Sequence, residues 1–126
     1  MVWLRDGDLL LKEVNRNADA GSVVLFGLLD TSLLGACTGR VMRTLGKNGE
    51  EADEGWIESE HAVYPLPTNF SVDGLPSYLD IVPDKDGYNH IALFGPASAS
   101  TPPFLTTGAW EVTSRIHAVD VERGLV

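Results

Sequence analysis

Positive charge is scarce in this chain of 126 residues: 9 Lys+Arg stand against 18 Asp+Glu, for a formal net charge of −9 at pH 7. A surface of that sign repels phosphate backbones and anionic lipid headgroups, which argues against nucleic-acid binding as a primary role and against attachment to acidic membranes. Cysteine is nearly missing too. With Cys37 alone, no intrachain disulfide, thiolate metal cluster or Cys-x-x-Cys redox pair can be built, and thiols say nothing about compartment. Long hydrophobic runs are also lacking. The longest, residues 23–29, lies between Asp19 and Asp30 and falls far short of the roughly 20 residues that a membrane-crossing helix needs. The opening MVWLRDGD carries acids and Trp3 where a secretory signal has a basic segment and a longer apolar core, so none is expected there. A chain of this length supports one domain, residues 1–126, with a single core.

What the sequence does contain is a succession of short strand-like runs. Residues 2–4, then Asp6-Gly7-Asp8, then residues 9–14 read as strand, tight turn, strand, because aspartate and glycine supply the turn chemistry. Residues 15–21 are polar enough for a loop, and 22–29 form a continuous apolar run whose length and flanking glycines suit a buried strand. A three-stranded antiparallel sheet is expected. Residues 41–45 are read as a further strand and the acidic run 46–53 as a solvated loop. Pro65, Pro67 and Pro76 confine 63–72 to edge or irregular structure, since proline has no N–H to give to a ladder. Asp86-Gly87, set between the apolar runs 78–82 and 88–94, is a strong hairpin signal. Residues 104–107 and 111–119 complete the expected strands. So many short strands fit a sandwich or propeller blades equally well.

Two stretches break that tie. Asp86-Gly87-Tyr88-Asn89-His90-Ile91-Ala92-Leu93-Phe94 and Leu105-Thr106-Thr107-Gly108-Ala109-Trp110-Glu111-Val112 resemble the D-G-Y-x-H-[ILV]-x-x-[FY] and L-T-x-G-x-W-E-V pattern of the dipeptidyl peptidase IV family. Val2-Trp3-Leu4, Leu10-Leu11, Asn15-Arg16 and Glu54-Gly55-Trp56-Ile57 are similar to that family's upstream elements, with fungal members the nearest in wording. The resemblance implies an all-β fold of antiparallel strands forming an incomplete β-propeller section. At roughly 40 residues per four-stranded blade, the chain supplies about two to three blades, fewer than the roughly four to eight of a closed propeller. It further implies a parent serine exopeptidase that removes amino-terminal dipeptides, with an α/β-hydrolase domain and the remaining blades as partners, peptides as substrates and, often, dimers. Such parents are membrane-anchored in the secretory or vacuolar system, or secreted. Within that parent the section is expected to gate substrate access. The alternative is an independent β-sandwich binding or scaffolding module.

No catalytic residue is expected in this chain. The G-x-S-x-G elbow that holds a hydrolase nucleophile on a strained turn does not occur. Ser98 and Ser100 sit in a small-residue loop, and His61, His90 and His117 are scattered. His90 is expected to be structural, bonded to nearby backbone or to a turn carboxylate, and His117 to point outward from a strand. Asp84 and Asp86 are turn residues rather than a calcium loop, which needs more oxygen ligands at fixed spacing; no metal or cofactor is expected. Glu50-Glu51 and Glu58-x-Glu60 lack the context of the paired glutamates with which the family binds a substrate's amino group. The segment after Gly55-Trp56 approaches the substrate cavity in the family, yet Glu58-Ser59-Glu60-His61 matches no binding motif. Trp56 and Trp110 are expected in the core. Asp86, Gly87, Tyr88, His90, Gly108, Trp110 and Glu111, with Trp56, are therefore assigned structural roles as signature residues. Asn69-Phe70-Ser71 forms an N-glycosylation sequon, which requires exposed backbone and a secretory route.

Overall fold

Alternation of apolar and polar side chains sends the first part of the chain into an antiparallel meander. In the computed structural model, which describes residues 1–5, 7–27, 38–47, 57, 62–70, 76–95 and 102–126, β1 (Val2–Arg5), β2 (Asp8–Val14), β3 (Ala20–Gly27) and β4 (Thr38–Gly46) pair in the order β1-β2-β3-β4. The expected strand at 41–45 thus joins the first sheet and makes it four-stranded. A second sheet of order β5-β6-β7 follows from β5 (Tyr64–Pro65), β6 (Tyr78–Pro83) and β7 (Asn89–Phe94). Among the described residues, a short helical turn at Thr68–Phe70 lies between β5 and β6. Pro65 falls on an edge strand, where a missing N–H is tolerated.

Register decides which side chains face the core. Leu10 lies opposite Leu25, and Lys12 opposite Val23, so these point to one face, and Leu9, Leu11, Val24 and Phe26 to the other. The inner face meets the second sheet: Leu10, Val23, Leu25 and Leu45 pack with Tyr78, Val82, Ala92 and Phe94 in one buried cluster. Each fully buried aliphatic side chain there contributes roughly 1.5–3 kcal/mol. The second sheet has a smaller cluster of Leu66, Leu79, Ile81 and Ile91 on its far side, covered in part by Val112, Ile116 and Val119.

The carboxy-terminal segment departs from expectation. Residues 104–107 and 111–119 are not strands; one bridge pairs Phe104 with Ala92, and the chain otherwise runs irregularly along the outer edge of β7. The cause is local. Leu93 N–H donates to Pro103 O at 3.0 Å and Leu105 N–H to Ile91 O at 2.7 Å, which begins a ladder. Ile91 N–H then donates to the Thr106 hydroxyl at 3.0 Å instead of to a backbone carbonyl. Gly108, at φ 131°, turns the chain away, and pairing resumes only where Val112 N–H meets Asn89 O at 2.8 Å. His117 is exposed on this irregular stretch, which is not the strand assumed for it.

Candidate functional site

The β6–β7 turn, β7 itself and the segment 104–112 beside it carry the signature residues other than Trp56. Asp84 Oδ1 accepts from the N–H groups of Asp86 and Tyr88 at 2.9 and 3.0 Å, Gly87 N–H donates to Asp84 O at 3.0 Å and Asp84 N–H to Tyr88 O at 2.9 Å. With Gly87 at φ 86°, this is a five-residue connection with glycine in the left-handed position, rather than a two-residue turn on Asp86-Gly87. Asp86, Gly87 and Tyr88 are exposed on it. Glu111 is exposed nearby along the chain, and Trp110, expected in the core, is 51% exposed. The indole stands edge-on to His90, 5.1 Å between centroids, so it lids a buried imidazole instead of filling a hydrophobic interior.

His90 is fully buried and both ring nitrogens are engaged. Nε2 lies 3.1 Å from Gly108 O, and Nδ1 lies 3.1 Å from Thr106 Oγ1. A carbonyl can only accept, so Nε2 carries a proton and donates it to Gly108 O, while the Thr106 hydroxyl, bonded to Nδ1, itself accepts from Ile91 N–H. Asp84 Oδ2 is 3.8 Å from Nε2. A hydroxyl, an imidazole and a carboxylate therefore stand in series, but the order does not make a catalytic triad. The hydroxyl is held by β7 backbone, the imidazole is closed to solvent, and the carboxylate faces the nitrogen already bonded to Gly108. Chemically, the arrangement fixes the strap of residues 104–112 against the edge of β7. Beside it lies a hollow of about 510 Å³, lined in part by Lys85, Tyr88, Phe104 and Ala109.

A second polar cluster escaped the sequence reading. Asp80, with no exposed surface, accepts from Lys12 Nζ at 3.1 and 3.2 Å and from Arg43 Nη1 at 2.9 Å, and its Oδ1 also accepts from Ile81 N–H at 2.9 Å. The cluster joins β2 and β4 of one sheet to β6 of the other. Arg43 also lies over the Phe94 ring, 3.6 Å from its centroid, and Phe94 stacks on Tyr78 at 5.5 Å. Burial pushes the Tyr78 hydroxyl above its usual value of 10.0, against the opposing pull of the Arg43 charge. Its signal in the sequence was one acid within the apolar run 78–82, a pattern that requires a buried partner.

At the opposite end of the first sheet, Asn15 and Lys47 hydrogen-bond Asp19 at 2.6 Å each. The Lys47 contact is the main reason that the Asp19 carboxyl lies below the usual carboxylate value. Among the described residues, no three of His, Cys, Asp and Glu come together as a metal site, and no helix is long and apolar enough to cross a membrane. Asn69 is exposed on the short helical turn. Cys37, Glu50, Glu51, Trp56, Glu58, Glu60, His61, Ser98 and Ser100 lie outside the described residues.

Known proteins resemble this chain in sequence. The family model described as the dipeptidyl peptidase IV (DPP IV) N-terminal region matches residues 1–126. Among curated relatives, a probable dipeptidyl-aminopeptidase B of Uncinocarpus reesii is 38% identical over 128 aligned residues, and another of Aspergillus clavatus is also 38% identical. The dipeptidyl-aminopeptidase B of Aspergillus niger is 37% identical. The matches cover 100% of this chain and 13% of each relative, so the chain spans a small part of the proteins it resembles. No solved structure matches.

Proposed function

This chain belongs to the dipeptidyl peptidase IV N-terminal region family, and from that premise we propose that it serves as a non-catalytic propeller section of a serine exopeptidase that removes amino-terminal dipeptides. The family match along the whole chain carries this reading. Two antiparallel sheets packed face to face through one core support it, since propeller blades stack in this way. So does the His90 cluster, whose hydroxyl and imidazole are committed to holding backbone. In the parent, the section lies against the remaining blades and the α/β-hydrolase domain and narrows entry to short or unstructured peptide ends.

The isolated chain is expected to leave an Xaa-Pro dipeptidyl reporter uncleaved. Hydrolysis by pure material that a serine-directed inhibitor abolishes would overturn that. Gating is read separately, from the parent's cleavage of one amino-terminal sequence presented on a short peptide and on a folded protein; equal rates would remove it. Asn69 carries a glycan when the parent travels the secretory route. The check is a mass shift on endoglycosidase treatment that N69Q abolishes, and a native protein without that shift sinks the assignment.

The second reading, an independent β-sandwich binding or scaffolding module, draws on the same shared core, because two sheets that bury one face against each other also describe a sandwich. Extending the reading frame separates the two: further blades followed by G-x-S-x-G favour the peptidase section, and an immediate stop favours the module.

A further inference from the structure

The hollow beside the His90 cluster lies between two segments that are both held in place. One is the β6–β7 turn, fixed by the N–H groups of Asp86 and Tyr88 on Asp84 Oδ1. The other is the strap of residues 104–112, fixed by Leu105 N–H on Ile91 O and by the His90 imidazole on Thr106 and Gly108. Each segment contributes an aromatic ring to the lining, Tyr88 from the turn and Phe104 from the strap. Tyr88 is 37% exposed, and the Phe104 ring stands edge-on to His90, 6.4 Å between centroids. The volume of about 510 Å³ falls within the roughly 300–1,000 Å³ of sites that take small organic ligands.

Hydrogen-bonding capacity is left over at one point of this lining. Asp84 Oδ2 accepts no hydrogen bond among the described residues; His90 Nε2, 3.8 Å away, donates to Gly108 O instead. The Asp84 side chain is 16% exposed. Because no buried side-chain oxygen among the described residues lacks a partner, Oδ2 is accessible, and Asp84 lines the hollow.

We propose that this hollow is a binding site for a small organic amine, whose ammonium group donates to Asp84 Oδ2 while its apolar body lies against Tyr88 and Phe104. The site is independent of the peptidase-section reading. A cation is selected because a carboxylate oxygen only accepts and because the faces of aromatic rings attract positive charge. The net charge of −9 also concentrates cations at the surface. Lys85 lines the hollow as well, but its ammonium sits on a flexible, exposed stem and makes no ion pair among the described residues. It is free to turn to water, whereas Asp84 Oδ2 is fixed by the bonds that Oδ1 makes. The hollow is larger than a single lysine stem fills, which favours a free amine over a side chain of another protein.

The test follows amide proton–nitrogen NMR spectra of the 126-residue chain titrated with phenethylammonium chloride. Saturable shifts are expected at the Tyr88, Gly108 and Ala109 amides. Phenylethyl alcohol has the same body without the charge and phenylacetate reverses the charge; each should bind at least about tenfold more weakly. D84N keeps Oδ1 as the acceptor for the turn and turns an amide nitrogen to the ammonium, so it should weaken binding by a similar factor, and Y88L by about threefold. No saturable shift at these amides, equal affinity for the ammonium and the alcohol, or unchanged affinity in D84N would each overturn the site. Tighter binding of phenylacetate would overturn it too, by assigning the hollow to Lys85 and an anion. If D84N loses the native spectrum, the ratio of ammonium to alcohol affinity on the unmodified chain decides by itself.

Discussion

Gly87 and Gly108 both adopt positive φ, at 86° and 131°, but different neighbours constrain them. A Cβ on Gly87 would meet nothing within 4 Å, whereas one on Gly108 would stand 2.7 Å from Trp110 Nε1 and 2.9 Å from its Cδ1. G87A should therefore cost only the backbone term, about 1 kcal/mol. G108A adds displacement of the indole that lids His90 and disturbs the carbonyl that Nε2 holds, for a cost of about 2–3 kcal/mol. Urea midpoints at unchanged m-value read the difference, and equal shifts would mean that Trp110 is not held against His90. Both glycines were legible in the sequence as signature positions. The hairpin at Asp86-Gly87 was legible too, from turn chemistry, but its five-residue form was not, because Asp84 supplies the side-chain bonds that set it. The place of Trp110 was also hidden: tryptophan suggests a core by its size, and only the fold shows that it covers a histidine from outside.

Tyr78 reports how a single core residue couples to pH. Its hydroxyl is raised in the folded chain, chiefly by burial, so folding favours the neutral form. That contribution is fully present below the unfolded value of 10.0 and is lost as pH rises through the higher folded value. Stability of the unmodified chain should thus decline above pH 10 by up to about 1.4 kcal/mol per pH unit from this group, and Y78F should lack that part of the decline. Parallel alkaline stability profiles for the two proteins would show that Tyr78 is not the responsible group.

At the scale of elements, the cluster around Asp80 couples strands of different sheets by charge. Lys12 and Arg43 converge on this carboxylate from β2 and β4, and loss of a buried countercharge costs more than any pairwise attraction suggests. D80N keeps the shape of the side chain but presents an amide to two cations. A loss of about 3–5 kcal/mol is expected. K12M leaves Arg43 on Asp80 and should cost less, about 1–2 kcal/mol. Chemical denaturation of the two variants decides the order, and a K12M loss as large as that of D80N would show that Arg43 alone does not hold the carboxylate. The strands read from short runs bounded by turn signals, β1, β2, β3, β6 and β7, came through because packing takes up their apolar side chains, on both faces in β6, where Tyr78 and Val82 join one cluster and Leu79 and Ile81 the other. Residues 104–107 and 111–119 carried a similar pattern but not the pairing. A threonine side chain takes the donor that the ladder needed, and a glycine at positive φ turns the chain, events that periodicity does not encode. The ion cluster escaped notice because its partners lie 68 and 37 residues from Asp80, a separation that only tertiary structure closes.

At the scale of the whole molecule, charge and apolar surface oppose each other. The net charge of −9 keeps isolated copies apart at low ionic strength, while the outer face around Phe26 and Val41 offers apolar area that gains by leaving water. Salt alters only the first of these strongly: the screening length falls from about 10 Å at 0.1 M to about 3 Å at 1 M. Light scattering of the 126-residue chain should therefore rise with sodium chloride, through open-ended association rather than a defined dimer, since face contact between sheets fixes no closed symmetry by itself. F26D places a carboxylate in the middle of that apolar area and should move the onset to higher salt, whereas an aspartate at exposed Tyr88, Y88D, on the distant turn, should move it less. Equal displacement by both variants would trace the effect to net charge alone, because each adds the same charge and only one adds it to the face. A larger displacement by F26D locates the adhesive surface on the first sheet.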